Sequence, residues 1–122
     1  MSLNDTIHLL SQLPILEDFS DEHLRLIAFS SQSRFYRAGD EVFSNGQAAD
    51  GGYLLLSGQV EWVTTDEKGN TQSEILGRGT LLGEMALISA VKRFGDAHAV
   101  SDCEIHRITR PTVHREIGRA SC

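Results

Sequence analysis

The sequence predicts a mainly β fold: an antiparallel β-roll, or double-stranded jelly-roll-like sandwich, with short flanking N- and C-terminal helices and one short helix inside it. Three observations carry this expectation. From Arg34 the apolar pattern changes to period two, turn signals centred on glycine recur every few residues, and helical spacing is confined to the two ends. A chain of 122 residues matches one domain at roughly 100–200 residues per domain, and is too short for two well-packed cores. The expected division is one domain over 1–122, with N-terminal helices in 1–30, the roll in 34–108 and the start of a C-terminal helix in 109–122.

Each element has a local reason. Ile7, Leu9 and Leu10 follow a cap at Asn4 or Asp5, and Pro14 ends that stretch by biasing Leu13 away from helical angles. Ser20 caps a second helix, with Asp21 and Glu22 in its first turn and Leu24, Ile27 and Ala28 along one face. Strands are then read at Arg34–Tyr36, Glu41–Phe43, Tyr53–Leu56, Gln59–Thr65, Thr71–Leu76, Ala97–Val100 and Glu104–Ile108. Their corners are Ala38-Gly39-Asp40, Asn45-Gly46, Asp50-Gly51-Gly52, Ser57-Gly58, Lys68-Gly69-Asn70 and Gly77-Arg78-Gly79. Thr109 caps a closing helix with Pro111 in its first turn and Val113 and Ile117 on one face.

Composition narrows the function. Eleven Lys and Arg against 17 Asp and Glu give a net charge of −6, which excludes broad contact with a nucleic-acid backbone. The longest apolar run, Tyr53-Leu54-Leu55-Leu56, is far short of the roughly 20 residues a membrane-spanning helix needs. Cys103 and Cys122 form no disulfide framework, and the first residues lack the pattern of a secretory leader, so a cytoplasmic setting is expected. Cys103 reads as a small buried strand residue. The five histidines show no H-x-H or H-E-x-x-H spacing, so no metal is expected, and no nucleophile, base and acid set suggests catalysis. Trp62 reads as a core or sheet-face residue rather than a stacking platform.

The stretch that can carry chemistry is Leu82-Gly83-Glu84-Met85-Ala86-Leu87-Ile88, followed by Arg93. A short helix entered from glycine turns backbone N–H groups outward, a carboxylate accepts hydrogen bonds from sugar hydroxyls, and an arginine forks two donors onto phosphate oxygens. Together they describe a site for a ribose bearing one phosphate. On spacing alone, a Glu84–Arg93 ion pair that pins the turn is the simpler reading.

Taken in order, Gly39-Asp40-Glu41-Val42-Phe43, Gly46 to Asp50, Tyr53 to Val60, and then Leu82 to Ile88 with Arg93 resemble the cyclic-nucleotide-binding domains of catabolite activator and cyclic-AMP-dependent kinase regulatory type. The resemblance covers Leu13 to Ile117. It implies that Glu84 takes the ribose 2′-hydroxyl and Arg93 the cyclic phosphate, with Gly83, Met85, Ala86, Phe94 and Gly95 around them. Backbone amides near Ala86 and after Arg93 complete the implied cradle. It also implies a cyclic nucleotide ligand, a regulatory rather than catalytic role, and output through the terminal helices to an effector domain, a partner protein or a second copy of the chain.

The chain departs from the family after Arg93, where Phe94-Gly95-Asp96 replaces small and hydroxylated residues. A hydroxyl there accompanies cyclic GMP in the family, so cyclic AMP is the expected ligand. Strand alternation places Arg93 and Phe94 on opposite faces, and Phe94 is expected to point into the core. The alternative function is an interaction domain of the same fold that binds no nucleotide, with Arg93 tied to Glu84 or Asp96.

Overall fold

The computed structural model describes residues 3–120; Met1, Ser2 and Cys122, which entered the sequence reading, lie outside them. Helix α1 (Leu3–Ser11) leads to a 3₁₀ turn at Pro14–Leu16, so Pro14 both ends one helix and begins the next turn, where a missing N–H costs nothing. Helix α2 (Asp21–Ser30) starts as expected: the Ser20 side chain accepts from the His23 N–H.

Ten strands follow: β1 (Gln32–Tyr36), β2 (Glu41–Phe43), β3 (Ala48–Ala49), β4 (Gly51–Ser57), β5 (Val60–Thr65), β6 (Thr71–Leu76), β7 (Leu81–Leu82), β8 (Val91–Lys92), β9 (Asp96–Ala99) and β10 (Cys103–Thr109). All seven expected strands are present, with ends that move by one or two residues. The pairs β3 with β8, and β4 with β7, add three two-residue strands that the sequence reading left as loops. A second 3₁₀ turn, Glu84–Leu87, separates β7 from β8, and helix α3 (Arg110–Ala120) closes the chain. One four-stranded sheet has the order β1-β10-β4-β7, a second β2-β9-β5-β6, and β3 and β8 form a third of two strands, with every pairing antiparallel.

Strand β4 shows why its sequence is apolar without a break: it is buried on both faces. Leu54 and Leu56 point at the helices, where Leu10, Leu16, Leu24, Ile27, Ile108 and Val113 join them in one core. Tyr53 and Leu55 alternate to the other side and pack inside the roll with Phe43, Val60, Leu82, Ala97 and Ile105. Cys103 belongs to this inner core; its Sγ donates to the Gln59 carbonyl at 3.2 Å, and burial pushes its thiol pKa up, which keeps it unreactive. No described helix is long and apolar enough to cross a membrane.

Candidate functional site

Gly46 and Gln47 fix the backbone of Arg93 from both sides. The Gly46 N–H donates to the Arg93 carbonyl at 2.7 Å, and the Arg93 N–H donates to the Gln47 carbonyl at 2.8 Å. Asp96 reinforces the same turn by accepting from the Asn45 N–H at 2.8 Å. The Asn45-Gly46 corner thus clamps the segment that carries Arg93, a role its sequence as a plain turn did not reveal.

So held, the Arg93 side chain runs inward and is only 7% exposed. Its Nη2 donates to the Gly51 carbonyl at 2.7 Å, and its guanidinium carbon lies 4.5 Å from the Phe43 ring centre and 5.3 Å from that of Tyr53. The two rings, stacked on one another, present a π surface to the cation. Nη1 is buried and has no hydrogen-bond partner. Burial lowers the pKa of this group, partly offset by the Tyr53 side chain and the nearby Asp50 carboxylate, yet a guanidinium stays protonated in proteins, so a positive charge stands in the interior.

Gly83 makes room for that charge. It has φ +76°, in the left-handed region, and a Cβ built there would stand 2.1 Å from Arg93 Nη1. No other residue combines this backbone angle with that approach at low cost. The turn that follows is a single 3₁₀ turn in which the Ala86 N–H donates to the Gly83 carbonyl at 3.0 Å. The Ala86 amide, one of those near Ala86 that the resemblance implies for the phosphate, closes the turn here.

A cavity of about 660 Å³ opens beside Arg93, within the roughly 300–1,000 Å³ of small-ligand sites. Gly83, Glu84, Met85, Ala86, Arg93 and Phe94 line it, so the structure brings six of the seven expected residues together. Glu84 is exposed at its edge. Gly95 stands elsewhere: it is buried under Trp62, whose ring would lie 2.7 Å from a Cβ at that position.

Phe94 corrects an expectation. It is 72% exposed and does not enter the core. Arg93 and Phe94 lie between β8 and β9 and not in a strand, so alternation does not govern them: both reach the cavity, Arg93 buried and Phe94 facing solvent. Phe43 and Trp62 also line the cavity and Tyr53 supports Arg93; the sequence reading placed Trp62 in the core or on a sheet face and gave Phe43 and Tyr53 no role, though both fall in the segments that carry the resemblance.

A second hollow, lined by Arg34, Lys92, Arg107 and Arg110, also borders Arg93. Its basic groups are largely engaged. Arg107 pairs with Asp50, and Arg110 Nη1 donates to the carbonyls of Ser89, Ala49 and Ala86 at 3.0, 3.2 and 3.3 Å. Gly83, the neighbour of the unpartnered Nη1, lines the first cavity and not the second. Among the described residues no group of three or more His, Cys, Asp or Glu side chains is placed to hold a metal ion.

Known proteins resemble this chain. The chain is 31% identical over 120 residues to the cGMP-dependent protein kinase, isozyme 1, of Drosophila melanogaster, covering 95% of this chain and 16% of that protein. It is 32% identical over 98 residues to the cyclic AMP receptor protein of Thermus thermophilus, covering 80% of this chain and 45% of that one. It thus spans less than half the length of either relative. A solved cyclic nucleotide-binding-like protein from Brucella abortus superposes with a TM-score of 0.84 at 35% identity, covering 93% of this chain and 98% of that one. With the roll, the Gly83 turn and the buried arginine in place, and with residues 33–119 matching the family's model, the chain belongs to the cyclic nucleotide-binding domain family.

Proposed function

We propose that this chain is a regulatory module of the cytoplasm that binds a cyclic nucleotide, cyclic AMP in preference to cyclic GMP, and catalyses no reaction. One observation carries the reading: a buried guanidinium with an unpartnered Nη1 stands at a cavity of nucleotide size. A buried charge is costly until an anion meets it, and a cyclic phosphate supplies one negative charge with oxygens that a guanidinium can fork. Arg93 takes that phosphate and Glu84 the ribose 2′-hydroxyl, while Gly83, Met85 and Ala86 form the wall beside them. Phe94 carries no hydroxyl for a guanine, which favours cyclic AMP.

The alternative, an interaction domain without nucleotide, requires the Arg93 charge to be spent on Glu84 or Asp96. Arg93 Nη2 is instead on a backbone carbonyl and Asp96 on the Asn45 N–H. Output has a physical route. Arg110, the first residue of α3, holds the carbonyls of Ala86 and Ser89, so a shift of the Glu84–Leu87 turn on ligand binding pulls on the terminal helix. A ligand that favours one arrangement of that helix transmits its binding to an effector domain, a partner protein or a second copy.

Comparing cyclic AMP with its 2′-deoxy analogue by calorimetry tests the Glu84 assignment. The wild type is expected to favour cyclic AMP by about 1.5–3 kcal/mol, the range for hydrogen bonds to charged groups. Glu84→Ala should shrink that gap. Equal affinities in the wild type would show that Glu84 does not read the ribose.

A further inference from the structure

We propose that the second hollow beside Arg93 is an anion site for a linear di- or triphosphate group, and that its occupant opposes the cyclic nucleotide. The site stands on the charge of the hollow; only the antagonism rests on the cyclic nucleotide reading.

Five cations from distant stretches of the chain meet in this hollow of about 860 Å³: Arg34 on β1, Lys92 on β8, Arg93 just after it, Arg107 on β10 and Arg110 at the start of α3. The chain has a net charge of −6, yet among the described residues the hollow holds one carboxylate, Asp50, which pairs with Arg107. Positive charges gathered in one hollow repel one another, which raises the gain from an anion that meets several of them at once.

Arg93 and Arg110 are fixed there by backbone carbonyls, which orient a guanidinium but bring no negative charge. All three hydrogen bonds of Arg110 leave from Nη1, so its Nε and Nη2 are left to donate. Arg34 and Lys92 are exposed, and their side chains have no hydrogen bond or ion pair among the described residues. Anchored guanidinium groups with spare donors, joined by two uncommitted cations, suit a ligand that carries charge on successive phosphoryl groups. A cyclic phosphate, with one charge, would leave most of this field unmet.

Arg93 lines both cavities. Two anions drawn to one guanidinium repel each other, and each then weakens the other by the same factor. Arg110, which ties the Glu84–Leu87 turn to α3, lines the second hollow and not the first, so an anion there also acts on the route of output.

The full chain is titrated calorimetrically with sodium tripolyphosphate, with ATP, with a hexaglutamate peptide and, at matched ionic strength, with sodium sulfate. Wild type, Arg34→Ala and the double variant Arg34→Ala, Lys92→Ala are compared. Saturable binding of one tripolyphosphate per chain is expected, not reproduced by sulfate and weakened about 10- to 150-fold in the double variant, as for lost hydrogen bonds to a charged group. Whichever of tripolyphosphate and ATP binds tighter identifies the source as free polyphosphate or a nucleotide. Arg34 is exposed and lines only the second hollow of the two, so Arg34→Ala is expected to melt like the wild type and to keep its affinity for cyclic AMP. In the wild type, saturating tripolyphosphate is expected to raise the cyclic AMP midpoint about 5- to 150-fold.

No saturable heat with tripolyphosphate, or equal binding of sulfate, overturns the site. Binding untouched in the double variant also overturns it, and puts the anion on Arg93 in the first cavity. Hexaglutamate binding tighter than tripolyphosphate makes the hollow a docking place for an acidic protein segment instead. An unmoved cyclic AMP midpoint overturns the antagonism and keeps the site. If tripolyphosphate binds and cyclic AMP gives no heat, the cyclic nucleotide reading fails, the antagonism with it, while the site stands.

Discussion

Replacing Arg93 with Ala is expected to weaken cyclic AMP binding by about 2–5 kcal/mol, or about 30-fold to several thousand-fold. The guanidinium is the buried cation of the cavity, with Nη2 anchored on Gly51 and Nη1 unpartnered. Removing it takes away the charge-assisted contact and leaves a phosphate to be buried against apolar rings. Arg93→Lys should recover little, because an ammonium is a point charge that cannot both hold the Gly51 carbonyl and fork a phosphate. Calorimetry on the two variants checks this, with melting curves to confirm that both fold. An affinity equal to wild type in Arg93→Ala would remove the phosphate assignment.

Gly83→Ala is expected to damage both fold and site. A non-glycine residue at φ +76° carries backbone strain of about 1–3 kcal/mol, which thermal unfolding would register as a lower Tm. The new methyl group would also stand 2.1 Å from Arg93 Nη1, so the guanidinium must leave its position. Loss of its aim on the phosphate should weaken cyclic AMP by about 1.5–3 kcal/mol per folded molecule. A variant that melts lower yet binds with wild-type affinity would show that Nη1 takes no part in binding.

Much of the roll was legible because its corners are chemically marked. Glycine and Asx pairs punctuate the sequence, and β2 and β6 fall at the residues expected from period two alone. The strands β3, β7 and β8 were not legible: two residues contain no period, and their pairing depends on where distant segments meet. The short helix expected at Met85 to Ile88 is a 3₁₀ turn beginning at Glu84, since the span between β7 and β8 admits a single turn.

At the site, residue types suggested Arg93 and Glu84, but spacing alone favoured an ion pair between them. Only the fold shows that Arg93 turns inward onto Phe43 and Tyr53 while Glu84 stays at the exposed edge. Phe94 shows the limit of pattern reading most clearly. The strand alternation expected for Arg93 and Phe94 does not apply between β8 and β9, and the fold decides which of the two is buried. Here a buried cation holds the inner side and an aromatic ring the outer.

The central claim is that the buried Arg93 charge serves a cyclic nucleotide. The most direct test is a calorimetric titration of the purified wild-type chain with cyclic AMP and, in parallel, cyclic GMP over the micromolar range. Saturable binding at one nucleotide per chain, with cyclic AMP the tighter ligand, is the predicted result. The absence of binding heat with both nucleotides, from a chain whose melting curve shows it folded, would contradict the account and return the domain to a role in protein interaction alone.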